Sequence, residues 1–461
     1  MKVLGSISGR TYTLRSDATM PETMESRNPR TRRFQLQCYS ENMSLVWEKE
    51  IQHPIEDASI FHMSVLGSRI LVVCLSKREG SPIRDIFAQF LSEDGSFVGI
   101  PILVDEVPLD RIDMDRLPDF FRSRDRSKWG LCYRMSGSET GSHFACGVVI
   151  DSSLNVIWRK EMKVDCPFRR FSLEHAALMN DGGFFLLGKK FLTDKRVKSP
   201  GECNYQIVAY QQKSDSAFTV DIRLSDKFLS DANLASDEVN RRAVLAGFYS
   251  ESGINSSAGI FSTWIGTDSL LQGPVHFAPF SNEIQTRSVA DRGDFRQKEL
   301  YNYYVDRLLI RKDGGTAVVS ESYIENTRTF WDYYTQSTVS HTYYRYGNIL
   351  TASLNPDGGM AWDEVIQKEQ TSMDDDGYQS SYCEMLAGGA YHIVYNKYID
   401  RRSSVMLTKI DGKGSSTTET LFGESERVVL LPRSARQVTA DAMVIPAYKQ
   451  GRLYLLRITL P

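Results

Sequence analysis

The chain has 461 residues, 41% hydrophobic and 25% charged, a globular usage that excludes wholesale disorder and collagen-like structure. Its 55 Lys and Arg almost balance 58 Asp and Glu, for a net charge of −3, which argues against a dedicated nucleic-acid or acidic-membrane binder. With 22 Tyr, 22 Phe and 6 Trp the composition leans toward pleated sheet, and no run reaches the roughly 18 apolar residues of a membrane helix.

Residues 1–6 hold no apolar core of about 7–15 residues, so no signal peptide is read there. Residues 3–7 are strand-like and are expected to pair with the last repeat. After a polar connection, 16–33, the strand Phe34–Tyr39 turns at Ser40-Glu41-Asn42-Met43-Ser44 into a strand carrying Trp47. The same strand, polar turn and tryptophan strand return at 144–150 with Asp151 to Asn155 and Trp158. They return again at 348–354 with Asn355-Pro356-Asp357-Gly358-Gly359 and Trp362. Copies without the tryptophan lie at 86–91, 205–210, 259–264, Val405–Ile410 and 453–460. Between them stands a second hairpin class, turning at Asn180-Asp181-Gly182-Gly183, Lys312-Asp313-Gly314-Gly315 and Ala387-Gly388-Gly389, where glycine supplies the positive φ of tight turns.

One hairpin of each class, strands A–B and C–D, recurs about every 50–60 residues with no long helical pattern. That predicts an all-β chain, a β-propeller of four-stranded antiparallel blades forming one domain over 1–461, with the termini closing the ring. The C strands number eight; seven blades, with the termini sharing one, is the alternative.

In such a meander the A–B and C–D turns leave one face and the B–C and D–A connections the other. The long connections are B–C (16–33, 191–204, 320–347) or D–A (108–118, 281–304), so one face carries the elaborations, where function concentrates. Aromatics cluster there: Tyr303 and Tyr304 enter one blade, and Phe330, Trp331, Tyr333, Tyr334, Tyr343 and Tyr344 surround its B–C connection. These eight are the candidate binding residues, since Tyr and Trp give rigid contact area with a polar handle. The competing reading is a hairpin extension whose aromatics pack on one another. The acidic run Asp374-Asp375-Asp376-Gly377 lacks the alternating spacing of a calcium loop and reads as a solvated turn. The basic stretches at 30–33, 122–126 and 189–198 have acidic neighbours and read as solvated surface near this face.

Seven cysteines include no C-x-x-C; Cys132 and Cys146 flank the turn 136–142 and would face each other in a symmetric hairpin, as packed thiols or a cross-strand disulfide. The histidines form no H-x-x-H or H-x-H cluster, and there is no G-x-S-x-G elbow or P-loop. No catalytic residue, metal site or cofactor is therefore expected.

At the C–D turns the chain resembles the Asp-box of sialidase-like propellers, roughly S-x-D-x-G-x-T-W. Asn355, Asp357, Gly359 and Trp362 stand at its positions, with degenerate copies at Ser40, Asn42, Ser44, Trp47 and at Asp151, Ser153, Asn155, Trp158. In that family the box is a structural turn, and the family's Arg-Ile-Pro segment is missing here. The texture of 346–382 is also similar to exported propeller-like proteins of Bacteroidota, a resemblance that implies export. The expectation is a non-enzymatic propeller binding a protein or glycan on its long-loop face. The alternatives are a polysaccharide hydrolase or lyase in the central depression of that face, and a structural subunit of an envelope complex.

Overall fold

Short apolar runs, some alternating with polar residues as in Phe34–Tyr39 and some continuous as in Arg69–Lys77, make strands of these segments. The computed structural model describes residues 1–461 except 17–32, 57, 79, 109–118, 137–142, 165, 212–213, 215–216, 223, 225, 291–298, 335, 401 and 461. Among the described residues are thirty-five strands and one α-helix, Asn282–Ala290, which occupies part of the 281–304 connection. Seven sheets of four strands and one of five follow one another along the chain, and Ser256–Ser257 with Leu300–Tyr301 makes a separate pair. All pairings are antiparallel, and in the first seven of the eight sheets the first four strands pair in sequence order. The first runs Lys2–Ile7, Arg10–Ser16, Phe34–Tyr39, Leu45–Ile51 (strands A to D).

The A strands of neighbouring sheets touch one another, as Lys2–Ile7 touches Ser59–Leu66 and Phe171–Leu178 touches Phe228–Asp237. The D strands lie outermost; in Leu45–Ile51 only Ile51 is buried. Radial meanders with A strands at the hub make a β-propeller. Each expected C strand is the third strand of its sheet, the last being Arg452–Thr459.

Sheets stack through their faces. Each of the seven junctions from the first sheet to the last buries an apolar cluster, such as Leu36, Cys38, Ile70 and Val72 at the first. The D-strand tryptophans latch one sheet to the next. Trp158 donates its indole N–H to the Gly182 carbonyl at 3.1 Å and stacks on Tyr210 at 5.3 Å. Trp362 lies on Gly414, whose φ of +85° is in the left-handed region and where a Cβ would come within 2.4 Å of the indole. The C–D turns are tied internally: Asp151 Oδ1 accepts from the N–H groups of Ser153 (2.8 Å) and Asn155 (2.9 Å), and Asp357 Oδ1 from Gly359 N–H (2.9 Å).

Two expectations are corrected. Residues 3–7 do not pair with the last sheet: Lys2–Ile7 is the A strand of the first, paired with Arg10–Ser16. The four strands of the last sheet are a split A strand (Val428–Leu430 and Arg436–Gln437), then Ala442–Lys449 and Arg452–Thr459, with no D strand among the described residues. It meets the first sheet through side chains, the Ser6 hydroxyl donating to the Val438 carbonyl at 2.7 Å and Arg457 Nη1 to the Glu41 carbonyl at 2.8 Å. Nor do Cys132 and Cys146 face each other. Cys132 opposes Gly147 and Cys146 opposes Tyr133, so the one-residue offset points the two thiols to opposite faces and into different clusters. All seven cysteines are buried and none is in a disulfide; the turn 137–142 lies outside the described residues.

Candidate functional site

The sixth sheet, Tyr303–Ile310, Thr316–Asp332, Ser337–Leu354 and Met360–Ile366, departs from the others. Its B and C strands run 17 and 18 residues and leave the disc as a two-stranded arm. Pairing is continuous from Tyr323 opposite Tyr346 to Asp332 opposite Ser337. The sequence supports this with β-branched and aromatic pairs, including Thr327 with Thr342 (3.0 Å between hydroxyls) and Thr329 with Ser340 (2.9 Å). At the base Gln370–Met373 adds a third strand alongside Tyr343 to Tyr346.

The acidic run that follows is an exposed turn, as expected, and its carboxylates also clasp the arm. Asp374 accepts the Thr342 N–H at 2.7 Å and meets His341 Nδ1 at 2.5 Å, which holds its carboxyl below the usual value. Asp376 accepts the Tyr344 hydroxyl at 3.1 Å, and Arg433 of the last sheet donates to the Asp376 carbonyl at 2.9 Å. His, Asp and Tyr thus fix the arm's base to the ring. Among the described residues no group of three or more His, Cys, Asp or Glu could hold a metal ion.

The eight predicted aromatics separate into two sets. Tyr303 is buried in the cluster between the fifth and sixth sheets. Tyr344 is buried in the clasp, Tyr343 is half-buried under Arg328 (5.5 Å), and Tyr304 is exposed beside Tyr323. The other four gather at the arm's tip: Phe330 is 44% exposed, Trp331 55%, Tyr333 84% and Tyr334 100%. Beyond Ser322 the B strand has a partner on one side only, so its backbone from Ile324 outward is an open edge.

The sequence implied a central depression but not what lines it. A cavity of about 1110 Å³ runs along the hub. Ser6, Val65, Leu386 and Thr439 line it at the A–B-turn end, Ser381 and Pro432 at the other. Arg122, Arg126, Arg307, Arg433 and Arg436 face it, with Asp306 and Glu384 the carboxylates. Glu384 is ion-paired with Arg307. Asp306 accepts from the Tyr382 hydroxyl at 2.8 Å. Although its side chain is exposed in the cavity, the protein around it and nearby Glu321 push its carboxyl above the usual range. Behind it, Glu321 pairs with fully buried Lys368 and accepts the Ser381 hydroxyl at 2.6 Å. The stretch 122–126 is solvated surface at Arg124 to Arg126, as expected, but on the face opposite the long loops. Arg122 ends the A strand Asp119–Arg122, and Arg126 sits in the A–B turn on that face.

No helix among the described residues is long and apolar enough to cross a membrane. No family model matches the chain, and no curated protein matches it in sequence. Among solved structures, Sqt1 of Chaetomium thermophilum is similar at 9% identity and TM-score 0.45, over 100% of this chain and 96% of that one. The Nup133 β-propeller domain of Vanderwaltozyma polyspora is similar at 7% and 0.36, over 86% and 100%. The β-propeller domain of the Trilobed protease of Pyrococcus furiosus is similar at 10% and 0.34, over 91% and 93%.

Proposed function

We propose that this propeller is a binding module that captures a partner, foremost a protein, on the tip of the sixth-sheet arm. The carrying observation is the exposure of Phe330, Trp331, Tyr333 and Tyr334 together at the end of a hydrogen-bonded, clasped hairpin. Aromatics of this kind supply large contact area at low conformational cost, and anchors of binding are enriched in Tyr and Trp. The open backbone edge beside them favours an extended polypeptide, which could add as a strand; a glycan stacking on the rings is the other ligand to test. We read the eight sheets as eight blades of one ring over 1–461, closed by side chains between the last and the first, which gives the arm a rigid mount.

A photo-crosslinking residue in place of Tyr333, compared with one in place of the 45%-exposed Tyr454 on the last sheet, tests this in native extract. Specific protein adducts at 333 and none at 454 support it. Equal adducts at both remove the arm as the site, and a glycan array bound only by the intact arm moves the ligand class to carbohydrate.

A further inference from the structure

We propose that the hub cavity is a binding site for a small multivalent oxyanion, a phosphorylated or polycarboxylated molecule gripped by Arg122, Arg126 and Arg436. The three guanidiniums come from two sheets far apart in sequence and line one space. Among the described residues none of the three has a hydrogen-bond or ion-pair partner, whereas Arg307 is paired with Glu384 and Arg433 donates to Asp376 and Tyr346. They also repel. Confinement lowers the Arg122 and Arg436 guanidinium values, and Arg126 lowers both further, with Arg307 adding to the strain on Arg436. Lys2 brings another cation toward Arg436.

The cavity acids do not compensate. Glu384 is held by Arg307, and Asp306 has its carboxyl raised toward the neutral form. A chain with net charge −3 therefore concentrates uncompensated positive charge at its centre. Like charges enclosed without a counter-charge cost stability, and a bound anion is what removes that cost. Arginine forks match the oxygens of phosphate and carboxylate groups and stay charged at neutral pH. At about 1110 Å³ the space exceeds what an inorganic ion fills and suits a ligand of nucleotide or sugar-phosphate size. The cavity's cationic end opens among the A–B turns, opposite the arm, so this site is independent of partner capture.

The experiment is calorimetric titration of the full chain at low ionic strength with pyrophosphate, citrate and, as a neutral control, glucose. It is repeated on Arg122→Gln and Arg436→Gln. The expected result is binding of pyrophosphate or citrate and not glucose, weakening as salt rises, and reduced about tenfold or more in each variant. Pyrophosphate favoured over citrate identifies a phosphoryl ligand, the reverse a polycarboxylate. Thermal melting of the unliganded proteins separates this from misfolding: each variant melts at or above the wild-type temperature, because a repelling cation has gone. No binding of either anion by the wild type, unchanged affinity in both variants, or a lowered melting temperature in both overturns the proposal.

Discussion

Replacing Gly414 with alanine tests whether the tryptophan latches carry the ring. Gly414 sits in the C–D turn of the seventh sheet with φ +85°, and a Cβ there would lie 2.4 Å from Trp362 Cγ and 2.8 Å from its Cβ. Two costs follow. An L-residue in the left-handed region costs about 1–2 kcal/mol, and forcing a methyl into a packed ring costs about 1–3 kcal/mol. Together they set the expected loss at about 2–5 kcal/mol. Gly412, two residues earlier in the same turn, is the control: nothing lies within 4 Å of a Cβ there, and its carbonyl still accepts the Trp362 N–H at 3.4 Å. Alanine at 412 should be neutral or stabilise by up to about 1 kcal/mol through the unfolded chain. Urea unfolding followed by tryptophan fluorescence measures both, with the midpoint shifting and the slope unchanged. If Gly414→Ala falls within about 0.5 kcal/mol of wild type, or Gly412→Ala loses as much, the latch account is wrong.

Excising 325–344 should abolish partner crosslinking and leave pyrophosphate or citrate binding unchanged, since arm and cavity open on opposite faces. Replacing Trp331, Tyr333 and Tyr334 together with serine should weaken capture without lowering the melting temperature, because the three side chains are more than half exposed; a melting loss would return them to a packing role. Asp374→Asn should speed hydrogen exchange at the Thr342 amide and loosen the arm. The pH dependence has a definite sign. The Asp374 carboxyl lies below its ordinary 3.8 when folded, so its contribution is complete above that value and is lost as pH falls through the folded one. Exchange at Thr342 that is flat from pH 4 upward, after correction for intrinsic rate, and rises only below it is the expected profile.

The strand plan was legible because its signals are local. Polar turns, Ser40 to Ser44 after Phe34–Tyr39 and Asp411-Gly412 after Val405–Ile410, together with a period of two suffice to place both segments as third strands. The Cys132–Cys146 error has an equally local cause: with the turn at 137–142 undetermined by composition, a one-residue register choice decides which face each thiol occupies. The arginines failed differently. Arg122 and Arg126 flank Asp125 in sequence, which reads as a self-neutralising surface turn. In the fold Asp125 is occupied by Ser123 (2.7 Å) and by the Ser127 N–H (3.0 Å), leaving the cations to the hub. Arg436 joins them from over 300 residues away, and no window reveals that. The aromatic run was readable as an extended hairpin, but which rings face the clasp and which the solvent depended on Asp374 and Asp376, whose partners lie across a third strand.

The junction between the last and first sheets links these observations. Every other junction buries an extended apolar cluster; among the described residues none spans this one, where Lys2–Ile7 touches Ala442–Lys449 and the Ser6–Val438 and Arg457–Glu41 hydrogen bonds tie the two sheets. It also brings Lys2 near Arg436, a repulsion across the seam. The seam should therefore be where the ring is least stable. Ser6→Ala, removing one cross-seam hydrogen bond, should cost about 1 kcal/mol, and added salt should recover part of it by screening Lys2 from Arg436. An anion held by Arg436 would shield the same pair. Bound pyrophosphate or citrate should then slow hydrogen exchange in residues 2–7 and 436–441 while leaving the arm unchanged. If the ligand binds yet slows exchange equally around the ring, the seam is not its point of action and closure rests on contacts other than these.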